Sequence, residues 1–208
     1  MNKEEDIFDL SISKEESKFI KKGLLLESDV ASEVMDTLVE FPWLGSLIKL
    51  GRVGKNLLDL FYFRKIAIFL KQLDGMEIDK KKSFLSKLDM KDRKKMRDYL
   101  THLLYTAEEE RKAAVMGMVY RDRIMGNIDN DMFLRLCSSI NRVYINDIDK
   151  LSNYVKPNSN NDYITNNLYS SGLLQITVSS SSGESLKLGG EFELNKVGKH
   201  LLRILKSR

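Results

Sequence analysis

Few side chains in this 208-residue chain are of the types that carry catalysis, and they are scattered. The inventory of nucleophiles and soft ligands is one cysteine, Cys137, and two histidines, His102 and His200. A zinc site draws three or four Cys, His or carboxylate ligands to one point, and these three residues do not supply a Cys/His site within one chain. No His-Glu-x-x-His, paired Cys-x-x-Cys or glycine-rich phosphate loop occurs, so the motifs whose spacing itself creates a metal or phosphate site are missing. The acids Asp129-Asn130-Asp131 and Asp147-Ile148-Asp149 invite a divalent-cation reading. They lack the glycine and terminal glutamate of a calcium loop, and helix capping accounts for the first pair. His200, beside Leu201 and Leu202, reads as structural. The expectation is a protein without catalytic residues, cofactor, metal or small-molecule substrate; a carboxylate-based hydrolase is the enzymatic alternative that the acids leave open.

Two constellations suit binding. The first is the basic run Lys91, Arg93, Lys94, Lys95 and Arg97, close to Lys80-Lys81-Lys82. Such a run holds nucleic-acid backbone or anionic lipid heads, or else forms a solvated helix face balanced by Asp89, Asp92, Asp98 and Glu108-Glu109-Glu110. Tyr99 is the only ring nearby, which argues against a channel that stacks single-stranded bases. The second constellation is polar and uncharged: Asn161, Tyr163, Asn166, Asn167 and Tyr169 lie in a stretch, Pro157 to Leu186, without a single lysine or arginine. Asparagines hydrogen-bond adenine edges, but affinity for duplex DNA rests largely on neutralised phosphates. This stretch is therefore expected to be an interaction surface for protein, with nucleic-acid binding weak at most.

The elements that position these groups read as helical for most of the chain. Residues 1–12 are acidic and weakly apolar, and are expected to be loose. Ser13 with Glu16 forms a capping-box pattern, a helix spans about Ser28 to Glu40, and Phe41-Pro42 breaks it. From Pro42 into the low sixties, Leu47, Leu50, Val53, Leu57, Leu58 and Phe61 fall on one face and Lys49, Arg52, Lys55 and Asp59 on the opposite one. The pattern slips phase at Arg64-Lys65 and resumes from Ile66 to Leu73, stopping at Asp74-Gly75. The apolar face is expected to be buried in the fold or against a partner, since each buried Leu or Phe stabilises by roughly 1.5–3 kcal/mol. Peripheral membrane contact through this basic-edged helix is the competing reading. Three helices follow, about Lys80 to Leu88, Asp89 to Tyr105, and one opened by Thr106 with Glu109. Gly126-Asn127 reads as a stop, and Asp129 caps a long helix running through Met132, Leu136, Ile140, Val143, Ile148 and Leu151. Pro157 to Asn161 reads as a loop, and a helix spans about Asn160 to Ser171. Strand signals are confined to the tail: Leu173 to Val178, a turn at Ser179 to Gly183, then Leu186 to Leu188 and Phe192 to Leu194.

The order Leu168-Tyr169-Ser170-Ser171-Gly172-Leu173-Leu174, hairpin, then Leu194 to Leu205 with Gly198 reads helix end, strand, wing, strand, helix. It resembles the second half of a winged-helix domain. The resemblance implies a mainly α fold, with a helical part over 13–126 and a winged-helix-like domain with a β-hairpin wing over 127–208. The whole pattern also resembles small uncharacterised bacterial proteins with a helical front and winged-helix tail, of mobile-element or phage-defence settings. The implied function is a protein-interaction or self-assembling module, with a protein partner or homo-oligomer. The alternatives are a DNA-binding regulator of winged-helix type and a membrane-associated effector acting through the helix at 42–62. An apolar fraction of 42%, 31% charged residues and a net charge of +4 are those of an ordinary globular chain. A single cysteine and an opening without the basic flank or apolar run of a secretory signal give the cytoplasm as the expected compartment.

Overall fold

The computed structural model describes residues 57–177 and 190–207, which are mainly helical with one small antiparallel sheet near the C-terminus. The expectations for residues 1–56, for the turn at 179–183 and for Leu186 to Leu188 lie outside the described residues. The chain divides into two compact units between Asn127 and Ile128.

In the first unit, α1 (Leu57–Lys71), α2 (Ile78–Ser86), α3 (Met90–Thr106) and α4 (Glu110–Ile124) follow one another through short turns. Helix α1 runs unbroken through Arg64-Lys65, where the apolar pattern of the sequence loses phase. Tyr62, Ile66, Phe69, Leu70 and Leu73 repeat at helical spacing and are all buried, and this stripe packs chiefly on α4. Phe61 sits about 100° away from that stripe and is 50% exposed, so the buried face expected there does not include it. The centre of the unit is aromatic. The Tyr120 ring lies 5.6 Å from Phe69 and 6.0 Å edge-on to Phe84, a geometry that aromatic quadrupoles favour.

Cations from neighbouring elements close the C-terminal ends of these helices, where carbonyls lack partners and the dipole is negative. Arg121 Nη1 of α4 donates to the Gln72 and Asp74 carbonyls beyond α1, at 3.0 and 2.7 Å. Lys65 Nζ of α1 donates to Tyr105 and Ala107 at the end of α3, at 3.1 and 2.7 Å. Arg93 of α3 donates back to Leu88 and Leu85 at the end of α2, at 3.2 and 2.9 Å. Burial at its post holds the Lys65 ammonium below its ordinary pKa. The N-terminus of α3 is capped by Asp89, which accepts from Asp92 N at 2.7 Å. Thr106 does not open the next helix. It lies in the last turn of α3 and its hydroxyl donates to the His102 carbonyl at 2.8 Å, while α4 starts after Glu109 with no side-chain cap.

The second unit starts with α5 (Asn130–Arg142), capped by Asp129 through Met132 N at 2.8 Å. The long helix expected from Asp129 to Leu151 is two elements. Val143 turns to extended backbone at φ −70°, ψ 144°, and a 3-10 segment, Ile145–Tyr154, follows. Val143 and Ile145 are both fully buried with the exposed Tyr144 between them, an alternation that a continuous α-helix does not produce. Helix α6 (Tyr163–Ser170), strands β1 (Leu174–Thr177) and β2 (Glu191–Leu194) and helix α7 (Lys196–Lys206) complete the unit. The strands pair antiparallel with Leu174 opposite Leu194 and Ile176 opposite Phe192. Part of the loop read at Pro157 to Asn161 joins this sheet, since Asn158 and Phe192 exchange backbone hydrogen bonds of 2.9 and 2.8 Å. Phe133, Leu136, Ile140, Ile148, Leu168 and Leu201 form the core of this unit.

Candidate interaction surface

Helix α6 is only eight residues long, too short to hold itself without tertiary support. Its first turn is fixed by a hydroxyl relay. Asp162 accepts from Thr165 N at 2.8 Å and from Thr165 Oγ1 at 2.9 Å. The Thr165 proton is thereby committed, so the 2.7 Å contact between Tyr154 and Thr165 hydroxyls has Tyr154 as donor. Hydrogen bonds from Thr165 hold the Asp162 carboxyl below its ordinary pKa. Asp147, buried on the preceding 3-10 segment, is displaced the other way, raised by burial and by the charge of Asp162.

The far end is fixed by Gly172, whose φ of +80° turns the chain from helix to strand in a region that L side chains avoid. Arg142 Nη2 donates to the Ser171 carbonyl at 3.2 Å. Asn195 joins the two sides of this turn. Its amide donates to the Gly172 and Leu174 carbonyls at 2.9 and 3.1 Å, and its Oδ1 accepts from Gly198 N at 2.9 Å, capping α7. Gly198 lies so close to β1 that an added Cβ would meet the Leu173 carbonyl oxygen.

Held in this way, α6 turns Tyr163, Asn166, Asn167 and Ser170 to one side, at the i, i+3, i+4, i+7 spacing of a helix face. Tyr163 is 79% exposed, and Tyr144 beside this face is 56% exposed. Asn167 Oδ1 accepts from Tyr144 N at 3.0 Å, fixing both residues. Asn161 precedes the cap and is exposed. Tyr169 does not share the face: it turns toward the sheet, its ring edge-on to Phe192 at 5.5 Å, next to the half-exposed Ile176. Of the five residues singled out in sequence, Tyr163, Asn166 and Asn167 thus come together on one face of the helix. Tyr144 and Ile176 were missed; the apolar, aromatic, apolar alternation at Val143 to Ile145 was the available signal for the first.

The basic run lies in the other unit, on α3. Lys91, Lys94 and Lys95 are exposed, but Arg93 is spent on the Leu85 and Leu88 carbonyls and Arg97 binds Asp98 at 2.9 Å. Among the described residues, no three His, Cys, Asp or Glu side chains gather in a way that would hold a metal ion, and no helix is long and apolar enough to cross a membrane. Cys137 is fully buried, and burial raises its thiol pKa well above the ordinary value, leaving it protonated and unreactive at neutral pH. Comparison with protein families, with curated proteins and with solved structures finds no match to this chain.

Proposed function

We propose that the chain is a non-enzymatic interaction module whose second unit is winged-helix-like, and that it contacts a protein, either a second copy or another chain, through the tyrosine–asparagine face of α6. The observation that carries this reading is Tyr163, 79% exposed on a short helix beside Tyr144, on a stretch with no cation. Tyrosine is enriched where proteins meet, because it offers apolar area and a hydroxyl at low entropic cost. Duplex DNA would demand phosphate-neutralising charges at the same place, and residues 157–177 carry none. The order α6, Gly172, β1, β2, α7 supports the winged-helix-like description, with the polar face at the position of a recognition helix. The resemblance suggests a bacterial defence or mobile-element system as the setting.

A photo-crosslinking amino acid at position 163, in full-length protein in its host cells, tests the assignment. The expected product is an adduct with a protein, absent when the crosslinker replaces Lys199 on α7. An adduct with DNA, or no adduct, would overturn it.

A further inference from the structure

Positive charge gathers in two stretches of this chain, residues 79–98 and residues 196–208, the second with five Lys and Arg and no acid. Residues 79–98 hold nine Lys and Arg against four acids, an excess of five, where the whole chain has an excess of four. Residues 79–98 form α2, the turn after it and the first half of α3, and the structure sorts their cations into two sets. Arg93 closes the end of α2, Arg97 binds Asp98, and Lys81 is buried. Lys80, Lys82, Lys87, Lys91, Lys94 and Lys95 all reach solvent. On α3, Lys91, Lys94 and Lys95 lie within about 6 Å of axial rise, a span over which a duplex presents about three phosphates when both strands are counted. Asp89 is occupied by its own cap, and Arg93 fixes the turn that joins the two helices, so the lysines project from a rigid support.

The geometry points to this lysine-bearing stretch as a binding surface for the phosphate backbone of nucleic acid, read without regard to sequence. Three features select that partner. Interfaces between proteins are depleted in lysine and enriched in aromatics and arginine, and here both arginines are engaged within the fold. Residence in a lipid headgroup layer calls for an exposed apolar face next to the charges, whereas Phe84, Met96 and Leu100 of these helices are turned into the core, and among the described residues Met90 is the large apolar side chain exposed beside the lysines. Finally, lysines are point charges without the fork that reads guanine, and they suit phosphate contacts that position but do not specify. These lysines belong to the first unit and the α6 face to the second.

The test is fluorescence anisotropy of full-length protein with labelled duplexes of two unrelated sequences, each about 30 base pairs, from about 50 to about 200 mM salt. Both duplexes are expected to bind alike, with a log–log salt slope of about −4 to −5 for about five phosphate contacts, a loss of a few hundredfold across that range. The triple variant Lys91→Gln/Lys94→Gln/Lys95→Gln is expected to flatten the slope by about three units. The matched triple Lys196→Gln/Lys199→Gln/Lys206→Gln on α7, which removes the same charge from exposed positions, is expected to leave it unchanged. No binding at the lowest salt would overturn the assignment, as would equal flattening by the two triples. Capture by phosphatidylserine vesicles without DNA binding would overturn it in favour of lipid.

Discussion

At the scale of single residues, two glycines decide whether α6 and β1 keep their relation. Gly172 sits at φ +80°, and a Cβ there would also lie 3.3 Å from Arg142 Nη2. Gly172→Ala is expected to cost about 1–2 kcal/mol from the left-handed backbone. Gly198→Ala meets a different obstacle, the Leu173 carbonyl and the Leu194 side chain, and overpacking of that kind costs about 1–3 kcal/mol. Urea unfolding measures both, and a change below about 0.5 kcal/mol in either would contradict the geometry. Asp147 gives a pH signature. Its folded pKa is raised by burial and by Asp162, so its charged form opposes folding at neutral pH, and that opposition lifts as pH falls through the raised value. Asp147→Asn is therefore expected to melt higher than the wild type at neutral pH, with the advantage fading in acid. A constant difference from about pH 3 to about pH 8 would mean that the gain has nothing to do with ionisation.

At the scale of elements, the helices are joined less by their own caps than by borrowed cations. Arg121→Met removes two hydrogen bonds at the end of α1 and is expected to cost about 1–2 kcal/mol. Lys94→Met, on an exposed stretch of α3, is expected to change stability by less than about 0.5 kcal/mol. Equal effects in denaturant titrations would show that the borrowed caps contribute nothing. The same distinction explains what the sequence made legible. Local signals held where the partner is local: Asp89 caps α3 and Asp129 caps α5, each through a backbone amide three residues on, and the apolar tail forms a pair of strands. Reading failed where the partner is distant. Nothing near Arg121 announces the Gln72 carbonyl, and nothing near Arg93 marks it as a clasp in place of a free charge. Thr106 has the neighbours of a cap, yet its hydroxyl bonds back into α3. The continuous helix read from Asp129 to Leu151 broke at Val143 because buried residues there alternate every second position. On the candidate surface, Tyr163, Asn166 and Asn167 share a face by helical spacing alone, whereas Tyr144 reaches it only through the hydrogen bond from its backbone to Asn167.

At the scale of the whole molecule, the division at Asn127 and Ile128 gives each unit its own aromatic and aliphatic centre. The second unit encloses Phe133, Leu136, Ile140, Ile148, Leu151 and Leu168 with both strands and α7. It also contains every partner in the Tyr154–Thr165–Asp162 relay and all three acceptor and donor contacts of Asn195. Domains that own their core and their polar networks fold alone, and a unit of this size is small enough for its stability to be marginal, near the lower end of the usual range of about 5–15 kcal/mol. Residues 128–208 expressed alone are therefore expected to give a helical circular dichroism spectrum and a single cooperative melt. In that fragment Leu168→Ala, which empties a fully buried site on α6, is expected to cost about 2–5 kcal/mol, enough to abolish the transition. Tyr163→Ala, five residues earlier and exposed, is expected to leave the melt within about 0.5 kcal/mol of the parent. If the fragment melts without cooperativity, the second unit depends on the first, and the tyrosine–asparagine face must be tested only in the intact chain. If Tyr163→Ala destabilises the fragment as much as Leu168→Ala does, Tyr163 supports the fold and the interaction surface proposed on α6 loses its anchor.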